Sequence, residues 1–137
     1  MAFPQTPALT TDAVVFDARG RVLLIRRKHP PFQGGYALPG GFVDVGETVE
    51  DACSRELNEE TGIQAGPLTL VGVYSDPRRD PRGHTCSVAF LTCVEDATPI
   101  AGDDAAAAEW VEDWRSVTLA FDHATILRDA ERLARAP

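Results

Sequence analysis

Basic charge is scarce in this chain: 13 Lys and Arg stand against 21 Asp and Glu, a formal net charge of −8. A protein this acidic repels nucleic-acid backbones unless its few cations are gathered in one place, so no nucleic-acid partner is expected. Long apolar runs are missing too. None approaches the roughly 20 residues that span a bilayer, and residues 1–11 hold neither a basic region nor a hydrophobic secretion segment. No membrane partner is expected. Cysteine is sparse: Cys53, Cys86 and Cys93 are an odd number without metal-ligand spacing. That argues against a disulfide framework and for small buried thiols in a reducing cytoplasm. Repeats and low-complexity stretches are absent as well.

What is present suits one globular domain spanning 1–137. The chain is 44% hydrophobic and 25% charged, with length for one sizeable core and not for two. Ala13–Phe16 and Val22–Ile25 are short apolar runs around Asp17-Ala18-Arg19-Gly20, which reads as a hairpin. Pro30, Pro31, Gly34 and Gly35 break the next stretch into a loop. Residues 48–61 lack Gly and Pro, carry acids in the first turn and stop at Gly62, the pattern of a helix. Leu68–Tyr74 and Thr85–Val94 read as strands, Glu109–Trp114 as a further short one, and His123–Ala136 as a closing helix with Asp122 at its N-cap. Strands around a central helix, with a second helix at the end, predict an α/β domain whose mixed sheet is covered on both faces.

The chemistry concentrates between Gly41 and Ile63. Gly41 is followed after five residues by Glu47 and after seven more by Arg55-Glu56-Leu57, then Glu59-Glu60 and Gly62-Ile63. On a helix advancing about 100° per residue, Glu56 and Glu60 lie about 40° apart and one turn apart. Glu59 adjoins them, so three carboxylates share one helix edge. Like charges so spaced destabilise a helix, whereas a hard divalent cation among them removes the conflict. A Glu-rich solvated face is the plain alternative for Glu59-Glu60 taken alone.

The complete set resembles the Nudix box: glycine-x5-glutamate-x7-arginine-glutamate-aliphatic-x-glutamate-glutamate-x-glycine-aliphatic, with no departure. At average residue frequencies such a match arises by chance in about one chain in ten million or fewer, which weighs strongly against the solvated-face alternative. The Leu38-Pro39-Gly40 lead-in, the hairpin and the last helix fit the family pattern too. The resemblance implies a Nudix-like α/β/α sandwich with a loop-helix-loop catalytic motif. It implies metal ligands at Glu56 and Glu60, Glu59 as a further ligand or water-orienting base, and the Gly40 carbonyl as an additional ligand. Glu47 and Arg55 pair to fix the loop, with Gly41 and Gly62 as further structural positions. The implied cofactor is Mg2+, with Mn2+ as a substitute. The general base is open between Glu59, Glu60 and the loop acids Asp103 and Asp104, of which Asp104 matches the family's loop acid better by its distance from Trp110.

Substrate choice rests on residues outside the box. Ser75–His84 gathers Arg78, Arg79 and Arg82 between Pro77 and Pro81 in an otherwise acidic chain, and arginine's planar fork suits phosphate. The stretch resembles the loop of small prokaryotic-type ADP-ribose pyrophosphatases; the plain alternative is a stiff solvated loop. His84 reads either as a phosphate contact or as a structural residue; Arg26 and Arg27 end a strand near the expected mouth of the site, where one, taken as Arg27, faces it, with a solvated edge as the plain alternative. Phe32 and Tyr36, and Trp110 and Trp114, are read as packing residues. The implied reaction is Mg2+-dependent hydrolysis of a nucleoside diphosphate derivative, ADP-ribose to AMP and ribose 5-phosphate, in an enzyme that forms a homodimer. The alternatives are a nucleoside triphosphate pyrophosphohydrolase that removes oxidised nucleotides, and a non-catalytic ADP-ribose sensor. Sensors of this fold append a winged-helix domain and lose box carboxylates, so the intact box and the end of the chain soon after its last helix favour the enzyme.

Overall fold

A computed structural model describes residues 3–102 and 105–135. Asp17 makes the first turn. Its carboxylate accepts the N–H groups of Arg19 and Arg21 at 3.0 and 2.8 Å, and Gly20 takes the positive φ of 78° that a side chain resists. The turn joins β1 (Ala8–Phe16) to β2 (Val22–Arg27). β1 pairs in parallel with β6 (Thr85–Cys93) along its whole length, from Ala8↔Thr85 to Phe16↔Cys93. Its other edge is divided: it meets β2 at Phe16↔Val22 and β4 (Gly40–Phe42) at Thr10↔Phe42 to Asp12↔Gly40. β2 continues to β3 (Tyr36–Ala37) and β7 (Ala105–Val111), and β5 (Thr69–Tyr74) closes the far side on β6.

Alternation along β1 sends apolar side chains to both faces, and each face finds a helix. Ala13, Val15, Leu23 and Phe90 pack with Cys53, Leu57 and Ile63 at α1 (Val49–Thr61). Val14, Phe16, Val22, Leu24 and Leu91 pack with Ile126, Leu127 and Ala130 of α2 (His123–Arg135). Burial on both faces explains why the β1 and β2 cores read as continuous apolar runs rather than alternating ones. The predicted α/β/α sandwich with a mixed sheet is the observed fold.

Three local expectations are corrected. β7 starts at Ala105 and stops at Val111, and Trp114 opens a short 3-10 turn instead of ending the strand. Four consecutive alanines carry no apolar–polar contrast, so the strand's first half left no periodicity to read. Both tryptophans do pack inward: Trp114 is buried and donates to Glu131 at 3.0 Å, and Trp110 donates to the Ala97 carbonyl at 2.9 Å. Only Cys53 is a fully buried thiol, with burial pushing its pKa up to about 12, while Cys86 is half-buried and Cys93 exposed. Asp122 does stand at the N-cap position, its carbonyl accepting the Ile126 N–H at 3.2 Å, but its carboxylate is taken by Arg79.

Candidate active site

The fork where β1 passes from β2 to β4 opens into a cavity of about 460 Å³. α1 is aimed at it by ordinary end chemistry. Thr48 Oγ1 accepts the Asp51 N–H at 3.0 Å, and Gly62, at φ 72°, closes the last turn by donating to the Asn58 carbonyl. Glu56 and Glu60 line the cavity. The Gly40 N–H lies 3.3 Å from Glu60 Oε1. A Cβ on Gly41 would sit 2.5 Å from the Glu56 carboxyl carbon, so any larger residue there would push the Glu56 carboxylate from its place.

Arg55 organises the other side of this edge. Its Nε and Nη2 donate to Glu47 at 2.7 and 2.9 Å, Nη1 to Glu56 at 2.9 Å and Glu59 at 3.1 Å, and Nη2 also to the Phe42 carbonyl at 3.0 Å. The fork holds Glu47 at about 2, far below the usual carboxylate range. Glu59 is therefore drawn to Arg55, exposed and away from the cavity lining. Among the described residues no three acidic, histidine or cysteine side chains are already gathered round one point; two glutamates converge, and the third stands apart. Burial pushes Glu56 up, and burial followed by the Glu56 charge pushes Glu60 up to about 9. Two carboxylates that resist ionisation side by side, lining one cavity, fit a hard divalent cation.

The same cavity also carries cations. Arg27 and Arg82 both line the cavity and lie over the Phe121 ring, with guanidinium carbons 5.0 and 5.7 Å from its centroid. Burial, then the neighbouring Arg82 charge, lower the Arg27 pKa. Arg82 is steadied by Asp80 at 2.8 Å and Arg27 by the Pro31 carbonyl at 2.6 Å. Arg79 lines the cavity but is buried and consumed: it donates to both Asp122 oxygens at 3.0 and 2.7 Å and to Thr85 at 2.7 Å. Arg78 and His84 do not line the cavity. Arg78 is exposed on Asp76, and His84 lies 2.8 Å from the Ser75 carbonyl. Of the three loop arginines, then, one faces the cavity with an accessible guanidinium and one braces the loop. Arg79→Ala should lower stability by about 2–4 kcal/mol, leaving Asp122 and Thr85 unpartnered, whereas Arg78→Ala should leave the melting temperature unchanged. Equal Tm values for the two variants would contradict this division. Asp103 and Asp104 lie outside the described residues.

Sequence reasoning missed Phe121, Asp12 and His123, which also line the cavity. Phe121 and Phe32 adopt φ of 54° and 60° and meet edge to face at 4.9 Å. No short motif marks such aromatics, although Asp12, a lone acid inside an apolar strand, was a signal available in the sequence. Tyr36 packs as expected, under Arg26 and bonded to Glu109.

A sequence model of the NUDIX domain matches residues 6–135. The chain is 48% identical over 126 residues to an ADP-ribose pyrophosphatase of Methanocaldococcus jannaschii, covering 92% of this chain and 74% of the relative. It is 34% identical to an ADPR-responsive transcriptional repressor of Acinetobacter baylyi, covering 91% of this chain but only 53% of the repressor. Among solved structures, the NUDIX domain of Shewanella oneidensis NrtR in complex with ADP ribose superposes with a TM-score of 0.87 at 30% identity, covering 94% of this chain and 90% of that one. With the box, the fold and these likenesses in agreement, the chain belongs to the Nudix family.

Proposed function

We propose that this protein is a divalent-metal-dependent diphosphatase that hydrolyses ADP-ribose to AMP and ribose 5-phosphate. The observation that carries the reading is the lining of one cavity, which brings Glu56, Glu60 and Gly40 together with Arg27 and Arg82. Mg2+, with Mn2+ as a substitute, suits the two glutamates, with the Gly40 carbonyl as the proposed further ligand. Such an ion, when bound, offsets phosphate charge and lowers the pKa of water. Arg27 and Arg82 bind and orient the diphosphate oxygens. A carboxylate accepts the proton of the attacking water as the water oxygen bonds to phosphorus and the bridging P–O bond breaks; Asp104 is the base we favour, with Asp103, Glu59 and Glu60 as the alternatives. Arg55 and Glu47 keep the loop and the helix edge in register. ADP-ribose is chosen because the pyrophosphatase relative is named for it and the NrtR domain was crystallised with it.

The test is kinetic. ADP-ribose should show a higher kcat/KM than deoxynucleoside triphosphates or an oxidised GTP. Arg27→Ala or Arg82→Ala should cost about 1.5–3 kcal/mol of kcat/KM, the value of a charge-assisted contact. A triphosphate used about tenfold better than ADP-ribose would end the substrate assignment and leave the diphosphatase standing. The repressor likeness raises a sensing role as well; all box carboxylates are retained here, and AMP release measured under Mg2+ separates the two.

A further inference from the structure

An aspartate in the middle of an apolar central strand is costly unless it is partnered. Asp12 is buried, and its partners come from three directions. Ser87 Oγ donates to it from β6, Arg79 Nη2 lies 3.6 Å away from the β5–β6 loop, and His123 Nε2 lies 3.3 Å away from the start of α2. His123 is itself 4% exposed, and its second ring nitrogen is also engaged: Nδ1 accepts the Leu38 N–H at 3.0 Å. While that bond stands Nδ1 carries no proton, which leaves the ring proton on Nε2, facing Asp12.

Leu38 is where this bond matters. It lies between the end of β3 at Ala37 and the start of β4 at Gly40, so its N–H is outside both strands. Pro39 has no N–H to give, and its carbonyl accepts the Ala13 N–H at 2.8 Å. The backbone leading to Gly40 is therefore fixed by two bonds, one to β1 and one to His123. Gly40 follows at once, with its N–H 3.3 Å from Glu60. A Cβ on Gly40 would collide with the Thr11 carbonyl and lie 2.8 Å from Asp12 Oδ1. The lead-in is thus pressed against the strand that carries Asp12.

We propose that His123 is a positioning residue for the metal-binding edge: by accepting the Leu38 N–H while braced on Asp12, it sets the backbone of Leu38–Gly40 beside Glu60. The inference rests on the reading of Gly40, Glu56 and Glu60 as the metal site. It assigns a role in that site to the first residue of α2, far from the box in sequence and not itself a ligand.

The test is Mn2+ binding to the full chain by calorimetry, with no substrate present, together with amide exchange at Leu38. Three variants divide the two ring nitrogens. His123→Ala removes both contacts. His123→Asn keeps an acceptor closest to the Nδ1 position, and His123→Gln keeps a donor closest to the Nε2 position. Removing a residue that orients ligands costs about 10–100-fold in metal affinity. His123→Ala should weaken Mn2+ binding by about tenfold or more, His123→Asn should recover to within about threefold of wild type, and His123→Gln should not recover. Leu38 should lose exchange protection in the Ala and Gln variants and keep it in Asn. If the Ala variant does not fold, the Asn–Gln contrast decides. Recovery by Gln instead of Asn, or wild-type Mn2+ affinity in both, would overturn the proposal. Failure of the wild-type protein to bind Mn2+ would instead overturn the metal-site reading, and this inference with it. ADP-ribose kinetics do not enter the measurement, so an error in the assigned substrate would leave the result intact.

Discussion

Glu60→Gln should lower turnover about a thousandfold under saturating Mg2+ and, at the same time, raise the melting temperature of the metal-free protein. The first effect follows from the proposed loss of a ligand: about 4 kcal/mol of charge stabilisation in the transition state corresponds to about three orders of magnitude in rate. The second follows from where Glu60 sits. It is 7% exposed beside Glu56, and its pKa stands at about 9 against an ordinary 4.5. The folded protein therefore holds that proton more tightly than the unfolded chain does. The stability this gives is fully present below about pH 4.5 and is lost as pH rises toward about 9. Glutamine keeps an oxygen for the Gly40 N–H and has no such dependence. Above about pH 5 the metal-free variant should be the more stable, by a margin that widens toward pH 8, with no difference near pH 4. Adding Mg2+ should reverse the order, because the ion stabilises only the protein that binds it well. Glu56→Gln should behave likewise to a smaller degree in stability, since Glu56 is less buried. A Glu60→Gln enzyme within tenfold of wild-type turnover, or one that melts lower without metal at pH 8, would refute the assignment.

Gly102→Ala should be, with Gly40→Ala, among the most damaging single methyl additions at the described residues. Residues 100–102 finish α1 from outside: the Ile100 N–H donates to the Thr61 carbonyl at 2.8 Å and the Gly102 N–H to the Glu60 carbonyl at 2.9 Å. These carbonyls are among those a helix leaves unpaired at its C-terminal end. A Cβ on Gly102 would fall on the Glu59 carbonyl and press against the Glu60 Cα. Unlike Gly41, whose obstacle is a movable side chain, Gly102 faces backbone on both counts. The loop and the helix end must separate, at a cost of about 2–4 kcal/mol, and the shift is delivered to the turn bearing Glu59 and Glu60. Turnover should fall with stability, read by thermal melts and ADP-ribose hydrolysis on the same samples. Gly83→Ala is the control: its Cβ meets nothing within 4 Å, and both readings should stay at wild-type values. A Gly102→Ala protein that melts like the control would show that the loop gives way freely.

The box was legible because it is local: Gly41, Glu47, Arg55, Glu56 and Glu60 act within one loop and one helix, where spacing converts directly into geometry. The sandwich was legible from apolar runs that needed cover on both faces. The loop arginines were legible only as a group. Whether Arg78, Arg79 or Arg82 faces the cavity depends on which aspartate each finds, and Asp76, Asp80 and Asp122 divide them in a way that spacing does not encode. Glu59 was placed with its neighbours by helical angle, yet Arg55 draws it out by an ion pair. Phe121 and His123 reach the site through the return of the chain at the start of α2, a tertiary event with no signature near the box.

The parallel pairing of β1 with β6 also fixes a timetable. β1 is synthesised well before β6, and its long edge waits for Thr85–Cys93. Until then it has only the brief hairpin contact at Phe16↔Val22 and the short β4 register. Non-local strand pairing is slow, and an open apolar edge invites association in the interval. Nascent chains halted before Cys93 should therefore be the aggregation-prone species, and synthesis of β6 the event that ends their exposure.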